Sequence, residues 1–388
     1  MKRSKKKVIA IDLGSKYCCV GITRNGEIEV INDYSGSPTI SAMVSFSNEN
    51  EILIGVCAED FLLLNPESTV YDFQIMIGRK FDDPVIQDHI NKWPFKVIRS
   101  AENTPLIEIE LDHKKKFYSP IDISSFLIKY LKVLVEEYLA DTVMGAVITV
   151  PFSFNSIQRE SIKEAAKIAG LDFVSIIDEP IAAAIAYYPI DTLENKKNVL
   201  LFDFGNTLKV SILKVKQNKI KICAAVEDVS IGCQSLTDNI VEYLLDCIQD
   251  RFGLDIRNNR RSMCILERQS SKLKVILSKL KKAMISIPAL YNDTNFLQRI
   301  DRIKFENINS KIFLNILRPI KDVLKKADMI KADIDDVILA GGSSNIPIVK
   351  EILQGFFGEK IFCNVNPESV FVTGAAKYAN NMSKSQNN

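Results

Sequence analysis

One short pattern is written twice in this chain, and it limits the folds open to it. Residues 9–22 read IAIDLGSKYCCVGI, and residues 200–215 read LLFDFGNTLKVSILKV. Each copy has an apolar run, an Asp, one apolar residue, a Gly, a short polar turn and a second run of strand formers. Such runs predict strands, and Gly with small polar residues predicts the tight turn that joins them. A third strand follows both times: EIEVI after the turn RNG, and KIKICAA after the turn KQNK. The repeated unit is therefore a three-stranded antiparallel meander, at 8–13, 17–23 and 27–31, and again at 198–204, 208–215 and 219–225.

Signals after each meander complete an α/β pattern. Residues 124–139 carry apolar side chains at helical spacing and lead into a buried strand, GAVITVP, at 145–151. An amphipathic helix follows, with Asn155 as its N-cap and Gly170 as its end. In the second half, 236–252 and 310–329 read as helices, and DDVILAGGSSNIPIVKEILQGFF reads as strand, glycine turn and helix. The predicted architecture is α/β, with two pseudo-symmetric lobes around a central cleft. Each lobe has a β-meander and flanking helices. Ligands of α/β sheets bind near strand ends, and turn N–H groups grip phosphate. Two facing turns hold one phosphate chain from both sides, which a lone Asp-x-Gly turn cannot do. The expected boundaries are a basic tail at 1–7, a first lobe at 8–190, a second lobe with the C-terminal helix at 191–380, and a polar tail at 381–388.

Composition narrows the function classes. The 388 residues are 47% apolar and 25% charged, ample for two lobes with buried cores. A net charge of +2 argues against a nucleic-acid binder. No apolar stretch approaches the length of a membrane span. The run KRSKKK meets Asp12 too soon for a secretory signal and reads as a solubilising tail, or as a handle for an anionic surface. Eight Cys without a CxxC pair read as reduced thiols of a cytoplasmic protein. His89 and His113 alone leave no basis for a His-centred mechanism or a His-rich metal site.

At this point the sequence resembles the nucleotide-binding domain of the 70-kDa heat-shock chaperones, within the actin-like ATPase fold. The resemblance is carried by AIDLGSKYCCVGI, STVYDFQIMIGRKFDDPVIQ, VITVPFSFNSIQRESIKEAAKIAGL, IIDEPIAAAIAYY, VILAGGSSNIPIVKEIL and VNPESVFVTGAA, and it covers about residues 7–380. It implies a stress-response chaperone that binds ATP or ADP with Mg²⁺. By the same resemblance, Asp12 and Asp203 face the metal, largely through water, and Glu179 and Asp203 are the catalytic carboxylates. Gly14, Ser15, Lys16 and Tyr17 form the first phosphate loop, and Gly205, Asn206 and Thr207 the second. Lys274, Ser278, Gly341, Gly342, Ser343, Asn345 and Glu368 fall in the segments that hold adenosine. Pro151 and Arg159 match a relay that reports nucleotide state. The implied partners are a J-domain co-chaperone, a nucleotide-exchange factor or the ribosome. The family's linker and peptide-binding β-sandwich have no counterpart in the text, so no direct peptide clamp is expected in this chain.

Departures from the family pattern fall on the chemistry. Gln74 occupies the place of the family's catalytic lysine, which leaves a hydrogen-bond donor without charge. The second phosphate turn, GNT, is one residue short and has Asn where the family has Gly. Lys16 replaces a neutral hydroxyl residue, and Lys209 replaces an acid; for each, a solvent-facing position is the competing reading. Ser271, Val275 and Asn345 replace the adenosine-side Glu and Arg residues, and Glu368 replaces an Asp. Two functions follow. One is a divergent ATP-binding chaperone or co-chaperone with weak or absent hydrolysis. The other is a non-catalytic interaction platform of the ribosome-associated type. The same fold hosts sugar kinases and filament proteins; the sugar kinase has no base or sugar pocket signalled here, and the motif match favours the chaperone over the filament.

Overall fold

The computed structural model describes residues 7–47, 51–188, 196–216, 219–291, 294–362 and 364–385. Most of the expected basic tail, the end of the polar tail and the expected lobe boundary lie outside these residues. The chain divides into two compact units, Met1–Tyr188 with Ser369–Asn388, and Pro189–Glu368.

In the first unit the meander is β1 (Lys7–Leu13), β2 (Tyr17–Arg24) and β3 (Glu27–Ile31), with the short β4 (Ile40–Ser41) beside β2. β5 (Val143–Val150) and β6 (Phe173–Asp178) extend the sheet by parallel pairing, in the order β6-β5-β1-β2-β3. The second unit has β7 (Lys197–Phe204), β8 (Leu208–Lys216), β9 (Lys219–Asp228), β10 (Asp336–Ala340) and β11 (Ile361–Phe362), in the order β9-β8-β7-β10-β11. Here too the first meander strand pairs in parallel with the later strands. The two sheets share one topology, so the textual repeat is a repeat of whole sheets. β10 is buried along its whole length, as befits a central parallel strand. Each unit has its own apolar core, one running from Ile9 to Leu171 and the other from Leu200 to Phe357.

Local signals set the helices that carry the site. The single-turn α1 (Phe73–Met76) lies between the meander and α2 (Pro120–Leu139). α2 starts ahead of the expected 124 because Ser119 caps it and Pro120 stands at its first position, where no N–H is needed. α3 (Ser156–Ile168) has Asn155 as N-cap in a reciprocal capping box with Gln158, and Gly170 takes φ +83° beyond its end. α4 (Glu179–Tyr187) follows β6 directly. In the second unit, α5 (Cys233–Phe252), α6 (Arg260–Lys279) and α7 (Pro347–Phe357) pack on the sheet or on each other. The expected helix at 310–329 breaks into Ser310–Asn315 and Leu317–Lys326. Pro319 has no N–H for the Asn315 carbonyl, which accounts for the break.

The C-terminal helix, Val370–Ser385, corrects one expectation. It belongs to the first unit, not the second, packing on α4, β1, β2 and β5. It also continues to Ser385, past the expected start of a loose tail at 381. The reason is shape. Gly374 lies so close to Ala182 that a Cβ would collide with its backbone carbonyl. The Thr23 hydroxyl donates to the Ala376 carbonyl at 3.1 Å, and the Lys377 ammonium donates to the Ala186 carbonyl. Half-burial holds the Lys377 pKa below its ordinary value. Gly374→Ala should therefore lower the thermal midpoint. Overpacking costs about 1–3 kcal/mol, more than the ~1 kcal/mol gained in helix propensity. An unchanged or raised midpoint would contradict this packing.

Candidate functional site

The first Asp-Gly turn sits at the end of β1. Asp12 is buried, 8% exposed, and pairs in register with Thr149 on β5 and Cys19 on β2. The Thr149 hydroxyl donates to Asp12 Oδ1 at 2.5 Å, which compensates the desolvated carboxylate. Leu13 and Cys18 are the last paired residues, so Gly14, Ser15, Lys16 and Tyr17 form the turn. A Cβ at Gly14 would strike the Tyr17 carbonyl, and this explains the Gly. The Lys16 side chain is half-buried and the Tyr17 side chain exposed. Burial and the Asp12 charge push the Cys18 thiol far above its ordinary pKa, so it is no nucleophile.

The segment with Gln74 is pinned at both ends. Gln74 is 8% exposed, and its amide donates to the Leu13 carbonyl beside the phosphate turn. Gly78, at φ +66°, lies against Gln158 of α3, where a Cβ would come within 2.8 Å of the Gln158 Cα. Asp72, just before α1, is raised in pKa by burial, a rise opposed by the Trp93 indole, His89 and Lys16. Lys16 thus lies within electrostatic reach of the segment that carries Gln74. The Arg159 guanidinium donates to the Phe154 carbonyl at 2.9 Å and to Asp178 at 2.5 Å. The Phe154 N–H in turn donates to the Pro151 carbonyl at 3.0 Å. Arg159 therefore ties the Pro151 turn to the residue before Glu179, which is 7% exposed and opens α4.

The second Asp-Gly turn is braced by several loops of the second unit. Asp203 is 6% exposed, and its Oδ1 leans over Gly205, 3.4 Å from where a Cβ would stand. Phe204 pairs with Leu208, leaving the three-residue turn Gly205, Asn206 and Thr207. Two glycines close on this turn. A Cβ at Gly232 would strike the Asn206 carbonyl. Gly341, at φ +78°, presses on Phe204 and Gly205, with a Cβ at 2.6 Å from the Gly205 N. The Cys233 N–H donates to the Gly205 carbonyl at 2.9 Å, and the buried Lys274 ammonium donates to the Cys233 carbonyl at 2.7 Å and to Thr237 at 3.1 Å. One residue, Cys233, thereby joins the phosphate turn to the helix expected to hold adenosine. Ser278 is spent on its own helix, donating to the Lys274 carbonyl at 2.9 Å. The Thr207 hydroxyl donates to Glu227 at 2.7 Å, and Asn345 accepts from Lys350 at 3.4 Å. Exposed Glu368 stands by Gly342, its Oε1 3.2 Å from a Cβ there.

Ser343 gives the plainest test of fit. Its hydroxyl is buried with no protein partner, in a turn opened by glycines. A buried unsatisfied hydroxyl costs about 1–3 kcal/mol, a cost that a polar ligand oxygen would remove. Together with the close glycine turns, this suits a phosphorylated ligand. Among the described residues, no group of three His, Cys, Asp or Glu side chains could hold a metal by itself. Thr149, Gly232, Cys233 and Thr237 touch the two Asp-Gly turns or the residues that brace them, and the sequence did not single them out. Lys209 lies on the face of Asp203, its direct partner across the hairpin, rather than on the opposite side of the sheet.

Two sheets of one topology, each ending in a glycine turn beside a buried Asp, define the actin-like ATPase fold. The family model described as Hsp70 protein matches residues 8–387, and the chain belongs to the Hsp70 family. It is a chaperone-type ATP-binding protein, of a family that generally binds ATP or ADP with Mg²⁺ and typically works with J-domain proteins and nucleotide-exchange factors. No helix among the described residues is long and apolar enough to cross a membrane.

Thr149→Val should lower stability by about 1–3 kcal/mol, because it leaves the buried Asp12 carboxylate without its hydroxyl donor. Denaturant unfolding of nucleotide-free protein checks this, and a loss within a few tenths of a kcal/mol would show that Asp12 does not depend on Thr149.

Proposed function

We propose that this chain holds ATP or ADP and hydrolyses ATP very slowly, acting in protein folding as a cytoplasmic chaperone or co-chaperone. The bond from Gln74 to the Leu13 carbonyl carries this reading. The position that supplies a cation in the family supplies here a neutral amide already engaged with the backbone. When bound, Mg·ATP would supply the phosphoryl group that hydrolysis transfers. By the family resemblance, Asp12, Glu179 and Asp203 are the acidic residues that would serve its metal. The turns Gly14–Tyr17 and Gly205–Thr207 offer backbone N–H groups to phosphate, and Ser343 offers an unspent hydroxyl. Val275 is half-exposed and Ser271 short, so the adenosine side lacks the guanidinium and carboxylate contacts of the family and should bind the base weakly.

Lys16 supports holding over turnover. On this reading its ammonium would offset triphosphate charge from the hairpin, equally in ground and transition states, and equal stabilisation does not speed the chemical step. Arg159, bonded to both the Pro151 turn and Asp178, is the candidate relay to a J-domain or exchange-factor partner.

Calorimetry should detect Mg·ATP and Mg·ADP binding that weakens on Asp12→Ala. Gln74→Lys should raise the single-turnover hydrolysis rate by at least about tenfold, a barrier change of ~1.4 kcal/mol. A wild-type rate equal to that of ordinary family members would overturn the slow-hydrolysis reading. Absence of heat with either nucleotide would favour the interaction platform instead.

A further inference from the structure

The two buried aspartates are compensated differently. Asp12 has neutral strand neighbours, Thr149 and Cys19. Asp203 has Ala340 on one side and Lys209 on the other. Residues directly opposed across an antiparallel pair share a face, with Cβ atoms about 4.5–5.5 Å apart. Lys209 is in turn opposed by Glu227 on β9. One face of the second meander therefore carries acid, base and acid in a row, Asp203, Lys209 and Glu227. The outer acid is steadied by the Thr207 hydroxyl at 2.7 Å, from the phosphate turn itself. The inner acid, 6% exposed, leans over Gly205 of the same turn.

A carboxylate this deeply buried needs hydrogen-bond donors or an opposite charge beside it. Lys209 is half-buried and tethered beside it. A divalent ion drawn to Asp203 would meet this ammonium as a like charge at close range, and would have to displace it. We propose that Lys209 is the resident counter-cation of Asp203, filling the electrostatic role of a divalent ion beside the second turn. The consequence, which rests on the nucleotide-holding reading, is that nucleotide binding depends little on Mg²⁺.

Two measurements separate the parts of this proposal. In nucleotide-free protein, a double-mutant cycle of Asp203→Asn and Lys209→Met by denaturant unfolding should be non-additive, the double variant losing less stability than the sum of the singles. Additive losses would overturn the pairing. Calorimetric ATP titration in Mg²⁺ and in EDTA should give wild-type affinities within about threefold, and Lys209→Met should widen that ratio to about tenfold or more. Lys209→Asp, which restores an acid, should widen it further. A ratio equal in wild type and Lys209→Met would overturn the metal-sparing role. If no protein binds ATP in either buffer, the nucleotide-holding reading and its metal consequence fall, and the cycle alone decides whether Lys209 is the partner of Asp203.

Discussion

A carboxylate buried at the end of a central strand must be compensated where it stands, and this requirement organises both units. Asp12 and Asp203 each close the first strand of a meander, next to a glycine turn and beside a parallel strand. Their depth comes from the parallel pairing, because a strand flanked on both sides and covered on both faces has no wet edge. In the first unit the parallel strand itself provides the compensation, through Thr149 at 2.5 Å. In the second unit that strand offers Ala340, and the compensation moves across the hairpin to Lys209. The same geometric problem thus has a neutral solution and a charged one within a single chain.

Close backbone approach shapes both turns. Gly14, Gly232 and Gly341 all stand where a Cβ would collide with a neighbouring backbone. Gly232 and Gly341 converge on the short second turn, which supports it although it is a residue shorter than the first. Lys274 then fastens α6 to the start of α5 through Cys233 and Thr237. Both turns are therefore braced by close backbone packing, while the groups the family uses to move charge during hydrolysis are altered. Gln74 is tied to Leu13, and Lys209 has been added beside Asp203.

What could be read from sequence was local. Both meanders, the Asn155 cap and the Gly170 stop follow from short-range patterns, and they fall where those patterns place them. The fit of the C-terminal helix against Ala182 was not legible, because it depends on a Gly and an Ala far apart in the chain meeting backbone to backbone. Thr149 was equally hidden, since its register with Asp12 depends on parallel pairing that no local pattern encodes. Lys209 was accessible in principle. Counting outward from the turn that joins Phe204 and Leu208 puts it opposite Asp203, but strand alternation alone left its face open.

The central claim is that the retained phosphate turns hold nucleotide while the Gln74 position no longer promotes its hydrolysis. The most direct test is the chemical identity of the bound nucleotide. Protein loaded with radiolabelled Mg·ATP, freed of excess nucleotide and held at ambient temperature for many single-turnover half-times of an ordinary Hsp70, should yield mainly intact ATP when the complex is denatured. Recovery of the label as ADP and phosphate over the same interval would contradict the account.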